Sequence, residues 1–339
     1  MLVFTIRRLV GTVLVLLVVS FITFVFTANT YDPLAPYRTR QPLPSKEFFA
    51  EKIREFHLDQ PVLTRYWNWL THLVNFDWHG WYPTLAFNFG NNVGGSPVSS
   101  DLADRLGVTF KMIVGAIILA AILAIVLGVI SGVRQDKPID IVVTILTFIL
   151  IALPTFWFAA LLKQGAIALN DHVFHRQYFF TIGTESPAAQ FTMHGSELFW
   201  DRMRHLILPV LSLGLLTASG WIRYQRASTI EVLGSDYMRL ARAKGVRNRT
   251  VIRRHGLRNA LIPLVTVMAI DIGALFGGAI ITERVYDING MGAYLNTALT
   301  AQDTYAVIGW VMVSALFVIV FNLIADLLYA ALDPRIRLS

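Results

Sequence analysis

Two carboxylates stand inside long apolar runs: Asp271 within Leu261–Thr282, and Asp326 near the end of Tyr305–Leu328. An ionisable side chain in such a run is expensive and by default marks function. Two acidic groups sharing a proton can cleave a peptide bond, so an intramembrane aspartyl protease is one chemistry to weigh. Against it, Asp271 sits mid-run, Asp326 sits near a run's end, and no Gly-x-Gly precedes Asp271. Asp271 suits equally a translocation cavity, where it would meet a cationic amino group, or a polar group on a neighbouring helix. Asp326 shares a helical face with Asn322 and Tyr329, a pattern that favours structural hydrogen bonding. His172 and His175 lie one helical turn apart beside Asp171 and could chelate a metal. A lone cluster of this kind in a loop is more often solvated, and no metal is expected. The chain has no cysteine, which excludes disulfides, thiol catalysis and thiolate metal sites. It also lacks a Gly-x-x-x-x-Gly-Lys-Ser/Thr loop, so it cannot cradle nucleotide phosphates in that way.

The most informative polar stretch is the basic segment 223–259. Within it, Gly234-Ser235-Asp236-Tyr237-Met238-Arg239-Leu240-Ala241-Arg242-Ala243-Lys244-Gly245 reads as one short helix. Ser235 can cap its start, Asp236 suits its positive end, and Gly245 can close it in the left-handed conformation. Tyr237, Leu240, Ala241 and Lys244 then share one face. A short helix with small and apolar residues outward fits a groove on a partner. A solvated basic loop lying against anionic lipid is the alternative.

The elements that carry these residues are membrane spans. Of 339 residues, 55% are hydrophobic and only 15% charged, with a mean hydropathy of +0.55. A bilayer core needs about twenty apolar residues per helix. Six runs qualify: Leu9–Ala28, Met112–Val133, Ile141–Leu162, Leu206–Ile222, Leu261–Thr282 and Tyr305–Leu328. The first is longer than a secretory signal core and is read as retained. Leu153-Pro154-Thr155 predicts a kink in the third, because proline removes a backbone donor. The connecting segments alternate in charge. The N-terminus with 134–140, 223–259 and 333–339 carries 16 of the 29 basic residues, and the longer segments 29–111, 163–205 and 283–304 carry 15 of the 22 acidic ones. That asymmetry places both termini in the cytoplasm and accounts for the net charge of +7 without nucleic acid. The expected fold is an all-α polytopic membrane protein divided as 1–28, 29–111 and 112–339. The outer segment 29–111 should be helical in part. Ser45 precedes Phe49, Ile53 and Phe56 at helical spacing, and Val62, Tyr66, Trp69 and Leu73 follow Pro61, while Asn88–Ser100 reads as a loop.

With these elements in place, Ala241-Arg242-Ala243-Lys244-Gly245 and His255-Gly256-Leu257-Arg258-Asn259-Ala260-Leu261-Ile262-Pro263 resemble the coupling-loop motif of ABC importer permeases, most closely the dipeptide/oligopeptide branch. Arg239 stands where the broad motif has Glu and Arg258 where it has Pro, whereas Gly245 and Leu257 fit. Ile6-Arg7-Arg8-Leu9, Leu58-Asp59-Gln60-Pro61, Leu153-Pro154-Thr155-Phe156-Trp157, and Asn322–Tyr329 followed by Asp333-Pro334-Arg335-Ile336-Arg337 are similar to other family motifs. Asn289-Gly290-Met291-Gly292 departs by lacking a proline, and the 163–205 segment is unusually long. The resemblance implies that 233–263 is the coupling loop, with Tyr237, Leu240, Ala241, Arg242, Ala243, Lys244, Gly245 and Leu257 as its working residues. It implies a bacterial cytoplasmic membrane protein paired with a second permease, two ATP-binding subunits that hold ATP and Mg, and an extracytoplasmic binding protein. The cargo would be a peptide, with nickel, glutathione or oligosaccharide as alternatives. Gly273 and Gly277, spaced for close helix packing, become the expected interface with the second permease. This chain would bind no cofactor and catalyse no reaction.

Overall fold

The computed structural model describes residues 2–79, 82–245, 247–252 and 256–332. In chain order the first helices are α1 (Leu2–Thr30), α2 (Ala35–Arg38), α3 (Lys46–Glu55) and α4 (Val62–His72). A hairpin of β1 (Val74–His79) and β2 (Tyr82–Phe87) follows, then α5 (Val98–Val133), α6 (Pro138–Ala152), α7 (Thr155–Leu169) and α8 (Ala189–Thr192). The remainder comprises α9 (Ser196–Gly234), α10 (Asp236–Ala243), α11 (Asn248–Val251), α12 (Leu257–Tyr286), α13 (Met291–Thr300) and α14 (Thr304–Leu332). Apolar runs become long helices because only a helix bonds all its own backbone groups where water is absent.

Among the described residues, four helices are long and apolar enough to cross a membrane, and two bent pairs raise the number to six if each pair is one span. One pair is α6 and α7, which meet at 109°; the other is α12, bent by 44° near residue 274. The third expected span, Ile141–Leu162, is therefore two helices and not one kinked rod. Pro154 removes a donor and forces Leu153 into an extended conformation (ψ 130°), which ends α6. Pro209 and Pro263, by contrast, lie inside α9 and α12 without ending them.

The chain divides into two compact units. One comprises residues 1–107 and 290–317. Here Ser45 caps α3 as its spacing predicts, its hydroxyl accepting from the Phe48 amide at 3.2 Å. Tyr66 and Trp69 of α4 are buried against Phe24 of α1, with ring centroids 5.6 and 6.0 Å away. The Trp69 indole donates to the Phe89 carbonyl at 3.0 Å. The antiparallel hairpin, with Val74 opposite Phe87 and His79 opposite Tyr82, is an addition to the all-helical expectation. Its signal was present, since Val74, Phe76 and Trp78 alternate with Asn75, Asp77 and His79 before Gly80. Buried Asp303 caps α14, accepting from the Ala306 amide at 2.9 Å, and also takes the Val93 amide at 2.5 Å.

The second unit comprises residues 108–289 and 318–339. Its centre is α9, which packs against α6, α7 and α12. Ala120, Ala124, Val143, Ala218, Trp221, Ile222 and Leu264 form the core. The seam between α5 and α9 is close because α5 offers Gly128 and Gly132 there. A methyl group at either would lie 2.7 Å from the Cβ of Gln225 or Thr229 respectively, so neither position admits a side chain without separating the helices.

Candidate functional site

The short helix predicted in the basic segment forms as α10, over Asp236–Ala243. Ser235 takes the extended conformation of a capping residue (φ −69°, ψ 154°), but its hydroxyl does not cap. It donates back to the Val232 carbonyl at 2.6 Å, a local bond that competes with capping. Gly245 closes the segment at φ +74°, the left-handed conformation its position predicts. No atom lies within 4 Å of where its Cβ would be, so the need for glycine there comes from the backbone and not from crowding.

The faces of α10 follow from its spacing. Tyr237 and Leu240 are 41% and 58% exposed on the eight-residue helix. Arg242, Ala243 and Lys244 are exposed as well, and Ala241 is half-buried. Met238 is fully buried, in contact distance of Gly256, an anchor for which helix spacing alone gives little sign. Its only signal was an apolar residue out of step with Tyr237 and Leu240. Asn259 donates to the Tyr237 hydroxyl at 3.0 Å, and Ser228 donates to the Ala260 carbonyl at 2.9 Å. The end of α9, α10 and the start of α12 are thereby fastened together, with Leu257 as the first residue of α12. His255 and Val246, inside the motif, lie outside the described residues, as do the tail from Asp333 and the side chains of Asp326 and Tyr329.

About two turns before Gly234, α9 is held by a second fastening. The Arg226 guanidinium grips Asp140, at the start of α6, in a bidentate fork, with Nε donating to Oδ1 at 2.6 Å and Nη2 to Oδ2 at 2.8 Å. The Ser131 hydroxyl also donates to Oδ1, and the Asp136 amide donates to Oδ2 at 3.0 Å. Asp140 is 2% exposed, yet every lone pair it needs to share is engaged. In the sequence both residues stand only among the charges flanking apolar runs. A pairing across 86 residues leaves no local trace.

Asp271 has a partner within the chain. The Trp221 indole of α9 donates to its Oδ2 at 2.8 Å, and the side chain is half-buried. Gly273, two residues on, faces α14, where a Cβ would come 3.1 Å from Val318 Cγ1. Gly277 is exposed with nothing within 4 Å of its Cβ position. The two glycines thus have different surroundings, one against this chain's own helix and one open. His172 and His175 are exposed, and no group of three metal-ligating side chains gathers among the described residues. That loop is organised instead by buried Asn170, whose Oδ1 accepts from the Tyr178 and Phe179 amides at 2.9 Å.

Residues 124–338 match the family model described as the binding-protein-dependent transport system inner membrane component, and residues 1–113 match the N-terminal model of the same class of membrane components. The chain belongs to this family. It is a non-catalytic permease subunit of an ABC importer, set in the membrane by its apolar helices. Similar proteins include the oligopeptide transport system permease protein OppB of Mycobacterium bovis, 35% identical over 98% of both chains. The oligopeptide transport system permease protein AppB of Bacillus subtilis is 32% identical over 98% of this permease and 99% of its own length. The glutathione transport system permease protein GsiC of Salmonella choleraesuis is 32% identical over 99% of both.

Proposed function

We propose that this permease forms half of the translocation path of an ATP-driven di- or oligopeptide importer. Its α10 is the helix that seats in an ATP-binding subunit. The observation that carries this reading is the fastening of α10 to the start of α12: Met238 is buried against Gly256 and Asn259 holds the Tyr237 hydroxyl, while the Leu240 side chain and part of the Tyr237 ring stand exposed. A helix held in this way can pass a displacement to the spans and has an apolar surface with which to receive one. The working complex comprises a second, similar permease, two ATP-binding subunits that supply ATP and Mg, and an extracytoplasmic binding protein that delivers cargo. Both termini of this chain face the cytoplasm, Asp271 borders the path, and open Gly277 lies at the contact with the second permease. Peptide cargo follows from the names of the relatives, among which glutathione is itself a tripeptide.

The test uses a reconstituted complex. Gly245→Val strains a left-handed position and Ala241→Glu places a charge on the docking face. Each should reduce co-purification of ATP-binding subunits and abolish peptide-stimulated ATP hydrolysis and uptake, with the spans still inserted and the binding protein's own affinity for peptide unchanged. Wild-type coupling in both variants would remove α10 as the contact. Orientation is tested by single cysteines, introduced cleanly because the chain has none. An impermeant thiol reagent should label position 67 in intact cells and leave position 242 unlabelled; the reverse pattern inverts the topology.

A further inference from the structure

A cavity of about 510 Å³ opens within the unit formed by residues 1–107 and 290–317. His57, Arg65, His72, Asn88, Asn91 and Tyr305 line it. Arg65 is 6% exposed, and its Nε has no hydrogen-bond partner. The guanidinium sits 5.9 Å from the Phe24 ring and bonds the Tyr305 hydroxyl, and no ion pair among the described residues includes it. Glu55 also lines the cavity, but its carboxylate is taken by Lys52 at 2.6 Å.

A buried guanidinium is ordinarily matched by an anion, because the charge is costly to desolvate and each unmade bond adds to that cost. Arg65 has instead a hydroxyl, an aromatic face and an open cavity. The planar fork of five N–H donors matches a carboxylate, and the amides of Asn88 and Asn91 with the imidazoles of His57 and His72 add polar groups around it. The volume falls within the range of small-ligand sites and accommodates one side chain or chain end.

We infer that this cavity is a binding site for a carboxylate carried on a peptide segment, with Arg65 as its anchor. The choice of carboxylate over another oxyanion rests on the peptide-import reading. Two sources share this chemistry: the free C-terminus of cargo, and an acidic side chain on the binding protein.

The experiment measures binding of radiolabelled N-acetylphenylalanine and of N-acetylphenylalanine amide to the full-length permease in lipid nanodiscs. The acid should bind at least about ten-fold tighter than the amide, the size expected for a charge-assisted bond. Arg65→Gln should lose about ten-fold or more, and so should Asn91→Asp, which sets a repelling carboxylate at the exposed rim and leaves Arg65 in place. Displacement of the probe by cargo peptide assigns the site to cargo, and displacement by cargo-free binding protein assigns it to docking. The proposal is overturned by equal binding of acid and amide, by wild-type affinity in both variants, or by inorganic phosphate displacing the probe better than acetate does. No uptake is measured, so a negative result leaves the import reading standing. Loss of uptake in the α10 variants with this binding intact would bear on import alone.

Discussion

Arg226 and Arg65 are both largely withdrawn from solvent, and the protein treats them in opposite ways. Arg226 closes a bidentate pair with Asp140, and the Ser131 hydroxyl and Asp136 amide complete the shell. Arg65 is given an aromatic neighbour, one hydroxyl and an open cavity. A pair that satisfies itself fixes two helices relative to each other. An arginine left with a free donor beside empty space is matched to something that arrives.

The contrast can be broken most directly at Asp140. Asp140→Ala strands a guanidinium that is only 28% exposed. Stability should fall by roughly 2–4 kcal/mol, somewhat under the value for a fully buried pair because solvent reaches part of Arg226. Thermal unfolding of the permease in nanodiscs reads this, and Asp140→Ala combined with Arg226→Met should recover most of the loss. A fall below about 0.5 kcal/mol would mean that the pair is decorative.

Next in size is Asp271→Asn, which keeps the shape that accepts the Trp221 indole but removes the charge. If Asp271 borders the path, recognition of a cationic amino group should weaken by roughly 1–3 kcal/mol, measured as uptake of peptides with free against acetylated N-termini at unchanged expression. Identical uptake of both would leave the residue with its tryptophan alone.

Arg65→Gln should shift stability by less than about 1 kcal/mol in either direction, since no built-in anion loses its partner. A loss as large as that of Asp140→Ala would show that Arg65 is structural after all. The smallest effect concerns Asp303, a buried charge satisfied by backbone amides in place of a cation. Burial pushes its carboxyl above the ordinary value of 3.8. The folded state therefore holds that proton to higher pH than the unfolded state does. The stabilisation from this group is full at acid pH and is lost as pH rises through the raised value. Asp303→Asn still caps α14 and should flatten that limb of the stability profile. An unchanged slope would assign it to another group.

What could be read in advance tracks the range of the interactions. Helix α10 and its left-handed Gly245 were legible because helix spacing and closure are decided within a few residues, although the side-chain cap expected of Ser235 is replaced by its bond to Val232. The helices α3 and α4 were legible for the same reason, from Ser45 and from the spacing of Tyr66, Trp69 and Leu73. The hairpin carries a local alternation, Val74, Phe76 and Trp78 against Asn75, Asp77 and His79, that points to strand within an otherwise helical chain. The break after α6 was foreseen as a kink and is a turn of 109°, since the proline fixes where a helix fails and surrounding packing decides by how much. Asp271 was picked out by its cost, but its tryptophan lies 50 residues away. The Asp140–Arg226 clasp and the Arg65 cavity join residues whose proximity only the folded chain creates.

The length of α9 has a mechanical consequence. It has 39 residues, continuous through Pro209, and so is about 58 Å long. Its end at Gly234 hands directly to α10, and the clasp and the glycine seam stiffen it on the way. A rod of that length, tilted by about 5° about one end, carries the other through about 5 Å, close to one helical turn. If α10 docks as proposed, a displacement of that size there corresponds to only a few degrees of tilt along α9.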